Sequence, residues 1–533
     1  MKDLTHRGGI GVRDHDHGDH HLGARRRFLR QLGLLSAGTA LVPGTALQAL
    51  GSSRLTQALV DNPTDRVLVL IRLKGGNDGL NTIVPLYDYA AYRAARPVLG
   101  YAQSQLLNLN AELAVPTEFS AAQQLWQRGA LRIVNGVGYP DANLSHFRGT
   151  DIVTSASDAR EVLTSGWLGR HLDACFPDFL TDPPSAPPAI QIGGSGSLTF
   201  TSDENVSLAV SVRNVEELTA LAQNGQLYNT TDLPDCLYGE QLGYLRAVAN
   251  STFVFAGGIQ AAYDRGANAV AYPSGQLGAQ LSALARLIKG GLDTRLYMVT
   301  LDGFDTHAGQ DANHPALLRQ LGDSVRAFFE DLATAGDERR VLASTFSEFG
   351  RRIEQNASNG TDHGTAAPQL LFSPALDGSG ATGDLPALTQ PDAAGNLAFT
   401  TDFRAVYATL LEHWMCIPAG QVDQVLGGSF PRLALGFDCR SVSASRPPAP
   451  RRFEVSVRRL GEQWALEFES AGGTYELEVV DVLGRVVEAR TSFEPAGASR
   501  FKLGAEVGRR GGRAYRIRDG RGGVASGMLP LLR

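Results

Sequence analysis

Five short segments of this chain carry the residue types from which a hydrolytic site can be built: Gly75-Gly76-Asn77-Asp78-Gly79, Asn143-Leu144-Ser145-His146-Phe147, Asp302-Gly303-Phe304-Asp305-Thr306-His307, Ser347-Glu348-Phe349-Gly350-Arg351-Arg352 and Gly360-Thr361-Asp362-His363-Gly364. Carboxylates and imidazoles brought into one cleft are ligand chemistry for zinc, manganese or iron, because a borderline divalent cation takes O and N donors together. Asp78, Asp305, His307, Glu348, Asp362 and His363 are the candidate ligands, and Ser145 with His146 the candidate catalytic pair. Such an ion acidifies water or a serine hydroxyl and stabilises charge growing on a phosphoryl or sulfuryl oxygen. Each residue also has a plainer use. Asp78 suits a turn, Asp302 a loop cap, Asp305 and His307 a local hydrogen-bonded pair, Glu348 an ion pair with Arg351 or Arg352, and Ser145 a helix N-cap.

The elements around these segments decide whether they can meet. Residues 66–73 form a continuous apolar, β-rich run, as expected of a strand buried on both faces. A helix capped by Ser120 leads into a second strand at 131–137. Leu277, Leu281, Leu284 and Ile288 recur at helical spacing before a strand at 295–301, and a helix over 315–332 precedes a strand at 341–346. Strands alternating with helices predict an α/β fold, a mainly parallel sheet flanked by helices. Sites in such sheets form outside the carboxyl ends of strands, where four of the five segments begin. Residues 175–275, rich in Pro, Gly, Ser and Thr, read as a less regular insertion.

The chain has 533 residues, is 43% hydrophobic and carries a formal net charge of −6, which suits a multidomain globular protein and disfavours nucleic acid as a partner. Arg25-Arg26-Arg27-Phe28-Leu29-Arg30 followed by the short apolar run 31–42 is the layout of a twin-arginine export signal, with cleavage expected between Ala46 and Ser53. The run ends at Pro43 and is too short and weakly apolar for a membrane span. Removing this leader takes with it the His15–His21 cluster and leaves His146, His171, His307, His314, His363 and His413. His171, His314 and His413 lie in helical contexts and are expected to be structural. The four cysteines, Cys175, Cys236, Cys416 and Cys439, permit up to two bridges with three possible pairings at an oxidising destination, and Cys416 with Cys439 is the pair expected first.

At residues 440–452 the composition becomes that of a Pro/Arg-rich linker. Beyond it, apolar residues alternate with polar ones between Gly-rich turns over 453–533, which predicts a small all-β sandwich. The expected organisation is therefore a signal region at 1–50, an α/β domain at 51–439, a linker at 440–452 and a β-sandwich at 453–533.

Taken with Gly166-Trp167-Leu168-Gly169-Arg170, the five segments look like the bacterial family labelled domain of unknown function 1501, over roughly residues 66–437. More distantly, their order is similar to the alkaline phosphatase and sulfatase superfamily. That resemblance implies an alkaline-phosphatase-like fold, Asp78 as the first metal aspartate, Ser145 as nucleophile, and Asp305, His307 and His363 as one metal site. Those enzymes carry Asp-His where this chain has Glu348-Phe349, and Phe349 cannot ligate a metal. The tail, through Tyr475–Arg485 and Ser526–Arg533, resembles the C-terminal sorting domain of the type IX secretion pathway, with Met528 where that family usually has Lys.

The expected function is an exported metal-dependent hydrolase of phosphate or sulfate esters, acting on a small-molecule or glycan ester. Its expected partners are the twin-arginine export machinery and the type IX machinery, and its location the periplasm or the cell surface. The alternative is a non-catalytic envelope or cell-surface binding protein on the same scaffold.

Overall fold

The structure is a computed structural model, and it describes residues 65–213 apart from 181, 182, 185 and 195, then residues 217, 255–439 and 455–529 apart from 461–462, 482–485, 505–512 and 520–523. The signal region and the linker lie outside the described residues. Two compact units divide at Phe437/Asp438.

The first unit is built on a nine-stranded sheet. In chain order its strands are β1 (Val67–Lys74), β2 (Leu131–Gly138), β3 (Ala189–Ile192), β4 (Ala209–Val212), β5 (Leu296–Asp302), β6 (Val341–Phe346), β7 (Ala367–Phe372), β8 (Gly380–Thr382) and β9 (Thr401–Asp402). They lie in the order β8-β2-β7-β6-β1-β5-β3-β4, with β9 also on β2. Only β7 runs against its neighbours, β2 and β6; the other pairs are parallel. The four strands expected from the apolar runs are present within one residue at each end. Strands β3 and β4 correct the expectation for 175–275: that stretch is not only an insertion, because it extends the sheet at one edge.

Helices cover the sheet. They include α1 (Ser120–Gln127), α2 (His146–Ser155), α3 (Trp167–Cys175), α4 (Gln276–Lys289), α5 (Gln310–Ala333) and α6 (Phe403–Thr409). Apolar residues at helical spacing bury one face of α4, with Leu277, Leu281, Leu284 and Ile288 all in the core. Ser120 is the first residue of α1 and not its cap. Helix α5 starts five residues before the expected Pro315, which sits inside it and forfeits one backbone bond. Buried Gln310 anchors this early start: its Oε1 accepts from Thr306 Oγ1 at 3.0 Å and Thr361 Oγ1 at 2.6 Å, and its Nε2 donates to Asp78.

Register places the site. Lys74 pairs with Asp302 and Arg72 with Phe346, so β1, β5 and β6 end side by side and their following loops emerge together. Gly75 has φ +122°, and a Cβ there would strike the backbone of Asp305; the first two loops approach so closely that only glycine fits.

The second unit is an all-β sheet of five strands, β10 (Val455–Leu460), β11 (Gln463–Asp481), β12 (Val486–Lys502), β13 (Arg513–Asp519) and β14 (Val524–Leu529), paired antiparallel. Its own core contains Leu466, Phe468, Tyr475, Leu477, Phe501 and Ile517. Cys416 and Cys439 are both disulfide-bonded, and Cys175 is a free thiol. Among the described residues no helix is long and apolar enough to cross a membrane.

Candidate metal centre

The loops after β5 and β6, the start of α2 and the 355–363 loop bring His146, Asp305, His307 and His363 together. Ligand atoms of His146, Asp305 and His363 all lie within 4.8 Å of one another. His307 joins them, with its Nε2 2.9 Å from His363 Nε2 and 3.2 Å from Asp305 Oδ1. Asp305 Oδ1 is also 3.3 Å from His363 Nε2, and Oδ2 is 3.3 Å from His146 Nε2.

The outer nitrogens fix the tautomers. His363 Nδ1 lies 2.7 Å from the Leu144 carbonyl, which can only accept. His146 Nδ1 lies 3.0 Å from Glu348 Oε1, which already accepts the Gly75 N–H at 3.0 Å. His307 Nδ1 lies 3.0 Å from Asp362 Oδ1, whose acidity is raised mainly by hydrogen bonds from Asn356 and His307. Each ring therefore donates Nδ1–H outward and presents its Nε2 to the centre. His146 Nε2 is a buried atom with no hydrogen-bond partner.

Asp305 stays ionised at the centre. Burial works to raise the Asp305 pKa, but the hydrogen bond and the charge of Arg351 overcome it and hold the carboxyl at about 2. Arg351 is wholly buried and donates to Asp305 Oδ1 at 2.7 Å. It also donates to Gly75 O, to Gly76 O at 2.8 Å and to Thr361 O at 2.7 Å, tying three loops to one guanidinium. Burial and the Arg351 charge push the His363 pKa down, which disfavours its imidazolium. The centre opens to solvent: the side chains of Asp305 and His307 are 47% and 45% exposed.

The remaining candidates fall at different depths. Asp362 stands behind His307 and is also held by Asn356 Nδ2 at 3.1 Å. Glu348 is 1% exposed and faces His146, Gly75 and, at 4.0 Å, Arg72, and not Arg351 or Arg352. Ser145 is exposed at the N-cap position of α2, where its side chain makes no capping bond. Neither ring nitrogen of His146 is hydrogen-bonded to Ser145. Phe349 is a packing residue, its ring centroid 4.9 Å from that of His146 and 4.4 Å from that of His363.

Asp78 is not brought to this centre. It is fully buried, accepts from Arg96 Nη1 at 2.5 Å and from Gln310 Nε2, and caps residues 79–82 through the Asn81 amide. Burial opposes its ionisation, yet Arg96 keeps its pKa low. Both oxygens are thus engaged by protein donors, unlike those of Asp305. The sequence reading missed Arg96, whose other donors reach the Ile353 and Arg352 carbonyls at 2.9 and 2.8 Å; nothing local in Ala95-Arg96-Pro97 marks it. It also missed Arg351 as the partner of Asp305, although the residue lies inside a quoted segment.

Residues 134–425 match the family described as "Protein of unknown function (DUF1501)". The chain belongs to this family. No curated protein matches the DUF1501 chain. Among solved structures, it is similar to a protein in the alkaline phosphatase superfamily from Vibrio parahaemolyticus (10% identity, 83% of this chain and 85% of that one, TM-score 0.29). It is similar to the PsFucS1 sulfatase from Pseudoalteromonas sp. (10%, 85% and 86%, 0.31) and to alkaline phosphatase from the Antarctic bacterium TAB5 (9%, 59% and 94%, 0.24). These superpositions are too loose to place a ligand or a catalytic residue.

Proposed function

We propose that this DUF1501 protein is an exported metal-dependent hydrolase of phosphate or sulfate esters. The observation that carries the reading is the convergence of inward-facing imidazole Nε2 atoms on the Asp305 carboxylate. His307 Nε2, His363 Nε2 and Asp305 Oδ1 are separated by 2.9, 3.2 and 3.3 Å. Ligands about 2.0–2.1 Å from a tetrahedral zinc lie about 3.3 Å apart, so these three atoms fit one face of such a site. Two imidazole nitrogens 2.9 Å apart repel each other when neither carries a proton, and a cation between them relieves the repulsion. Nitrogen-rich donors with one carboxylate suit zinc or iron better than manganese.

A divalent cation bound here would supply Lewis acidity toward an ester oxygen and toward a hydroxyl or water. The chain supplies the rest. Arg351 fixes Asp305, and the Leu144 carbonyl fixes His363, one residue before Ser145. The uncapped Ser145 hydroxyl stands where the free first-turn N–H groups of α2 emerge, a setting that attracts an anion and leaves the hydroxyl available to attack it.

Export of the folded, metal-loaded chain by the twin-arginine route follows from the leader sequence. Delivery to the periplasm or surface, with type IX sorting through residues 453–533, follows from the tail. The second reading, a surface protein that binds a glycan or another partner without turnover, draws on Phe349, which puts an apolar wall where the superfamily has a ligand.

The test is to purify the full chain without chelator, measure its metal content, and assay aryl phosphate and aryl sulfate hydrolysis beside an Asp305→Ala, His363→Ala double variant. Stoichiometric metal with turnover, both lost in the variant, supports the hydrolase. Metal without turnover on either ester moves the reading to a binding protein, and no metal after zinc or manganese addition sinks the hydrolase and leaves the binding protein.

A further inference from the structure

We propose that His146 is an additional ligand of this centre and that Glu348 is the positioning residue that holds it there, the two exchanging the roles that their sequence context suggests. The inference rests on the cation reading above and adds to it. The carboxylate of Glu348 is buried to 1% exposure and is held inward, since Oε1 accepts from both Gly75 N and His146 Nδ1 at 3.0 Å.

What Glu348 does reach is the back of an imidazole whose front is unsatisfied. With Nδ1 given to Glu348, Nε2 is the His146 nitrogen left to face the centre, buried and without a hydrogen-bond partner, 3.3 Å from Asp305 Oδ2 and within ligand range of His363. Burying an acceptor with nothing to accept from is costly, and a cation is the species that this nitrogen and the Asp305 oxygens would share. Phe349 packs against the rings of His146 and His363 and restrains both. The histidine missing from position 349 is thus replaced from another strand end, by a residue one step after Ser145.

A carboxylate hydrogen-bonded to the far nitrogen of a ligating imidazole orients the ring and raises its basicity, and removing such a partner costs about 10–100-fold in metal affinity. The experiment titrates the metal-free full chain with zinc against a chromophoric chelator and records the visible absorption of its cobalt form. The variants are His146→Ala, Glu348→Ala, Glu348→Gln and the His146→Ala, Glu348→Ala double variant, with a thermal melt in chelator to compare their folding.

His146→Ala and Glu348→Ala are each expected to weaken zinc binding by at least about 10-fold and to change the cobalt spectrum. Glu348→Gln, which keeps an oxygen toward Nδ1, recovers part of the loss. In the absence of His146, Glu348→Ala is expected to cost nothing further, because its effect passes through that ring. Equal zinc affinity and an unchanged cobalt spectrum in His146→Ala overturn the ligand role and leave the remaining cation site standing. A Glu348→Ala loss just as large without His146 makes Glu348 a general structural support and overturns its positioning role. A wild-type chain that binds neither zinc nor cobalt ends the cation reading itself, and this inference with it.

Discussion

The Nε2 atoms of His307 and His363 face each other at 2.9 Å while the Nδ1 of each is bound to an oxygen acceptor on its far side. Two rings so constrained cannot both be neutral and comfortable. Divalent cation binding is therefore expected to stabilise the native chain, by about 4 kcal/mol at a free zinc concentration a thousand times the Kd. Thermal melts with zinc and with chelator measure this. In a His307→Ala, His363→Ala variant the zinc-dependent rise in Tm should vanish, while the chelator-treated melt should be no lower than wild type. A rise of equal size in the variant would place the zinc elsewhere.

Asp78 separates a structural carboxylate from a ligand. Replacing it with Ala leaves the Arg96 guanidinium buried without its counter-charge, a change that costs about 3–5 kcal/mol when both partners are inaccessible, as these are at 0% exposure each. Asp78→Asn should cost less, because hydrogen-bonding capacity remains, and it should bind zinc as tightly as wild type. Urea unfolding and zinc titration of the Asn variant check the two halves separately. A large loss of zinc affinity in a folded Asp78→Asn protein would return this residue to the ligand set.

These two cases show what could be seen in the sequence and what could not. The parallel frame was legible because β1, β2, β5 and β6 are runs of apolar residues punctuated by Gly or by polar loop segments, a signal that depends only on near neighbours. Strand β7, which enters antiparallel between β2 and β6, and the edge strands β3 and β4 lie in stretches without such contrast. Among candidate residues, Asp305, His307 and His363 converge as their strand-end positions suggest. The depth of each side chain was not legible, since it depends on partners far along the chain. Glu348 lies behind His146 across 202 positions, and Asp78 is claimed by Arg96 and by Gln310, the latter 232 positions away.

Ser145 gives the most direct check on chemistry. Its side chain makes no capping bond, so Ser145→Ala should change stability by no more than about 0.5 kcal/mol, the range of surface substitutions that touch no special feature. Zinc affinity should also hold. Ester turnover, once found for the wild type, should fall by orders of magnitude, since an alanine offers no nucleophile. Residual turnover near the wild-type rate would instead assign the attack to water.

His314 predicts how the fold responds to acid. Burial, the largest influence, pushes its pKa down from 6.5 to about 4, and its Nε2 lies 3.2 Å from Asn77 Oδ1. Between those two values the unfolded chain takes up a proton that the folded chain refuses. This contribution is therefore undiminished above about pH 6.5 and declines as the pH falls toward 4, by about 3 kcal/mol in all at 1.36 kcal/mol per pKa unit. The lowered carboxyls of Asp78, Asp305 and Asp362 act in a different window. Their contributions are present above the ordinary carboxylate value of 3.8 and are lost only as the pH falls through their depressed folded values. Urea unfolding of the metal-free chain at pH 7.5, 5.5 and 4.5 should show the decline, and His314→Leu should flatten it while lowering stability at pH 7.5 through the loss of one of the two hydrogen bonds to Asn77 Oδ1, the other coming from Thr82 Oγ1. An acid limb of undiminished slope in that variant would assign the proton uptake to another group.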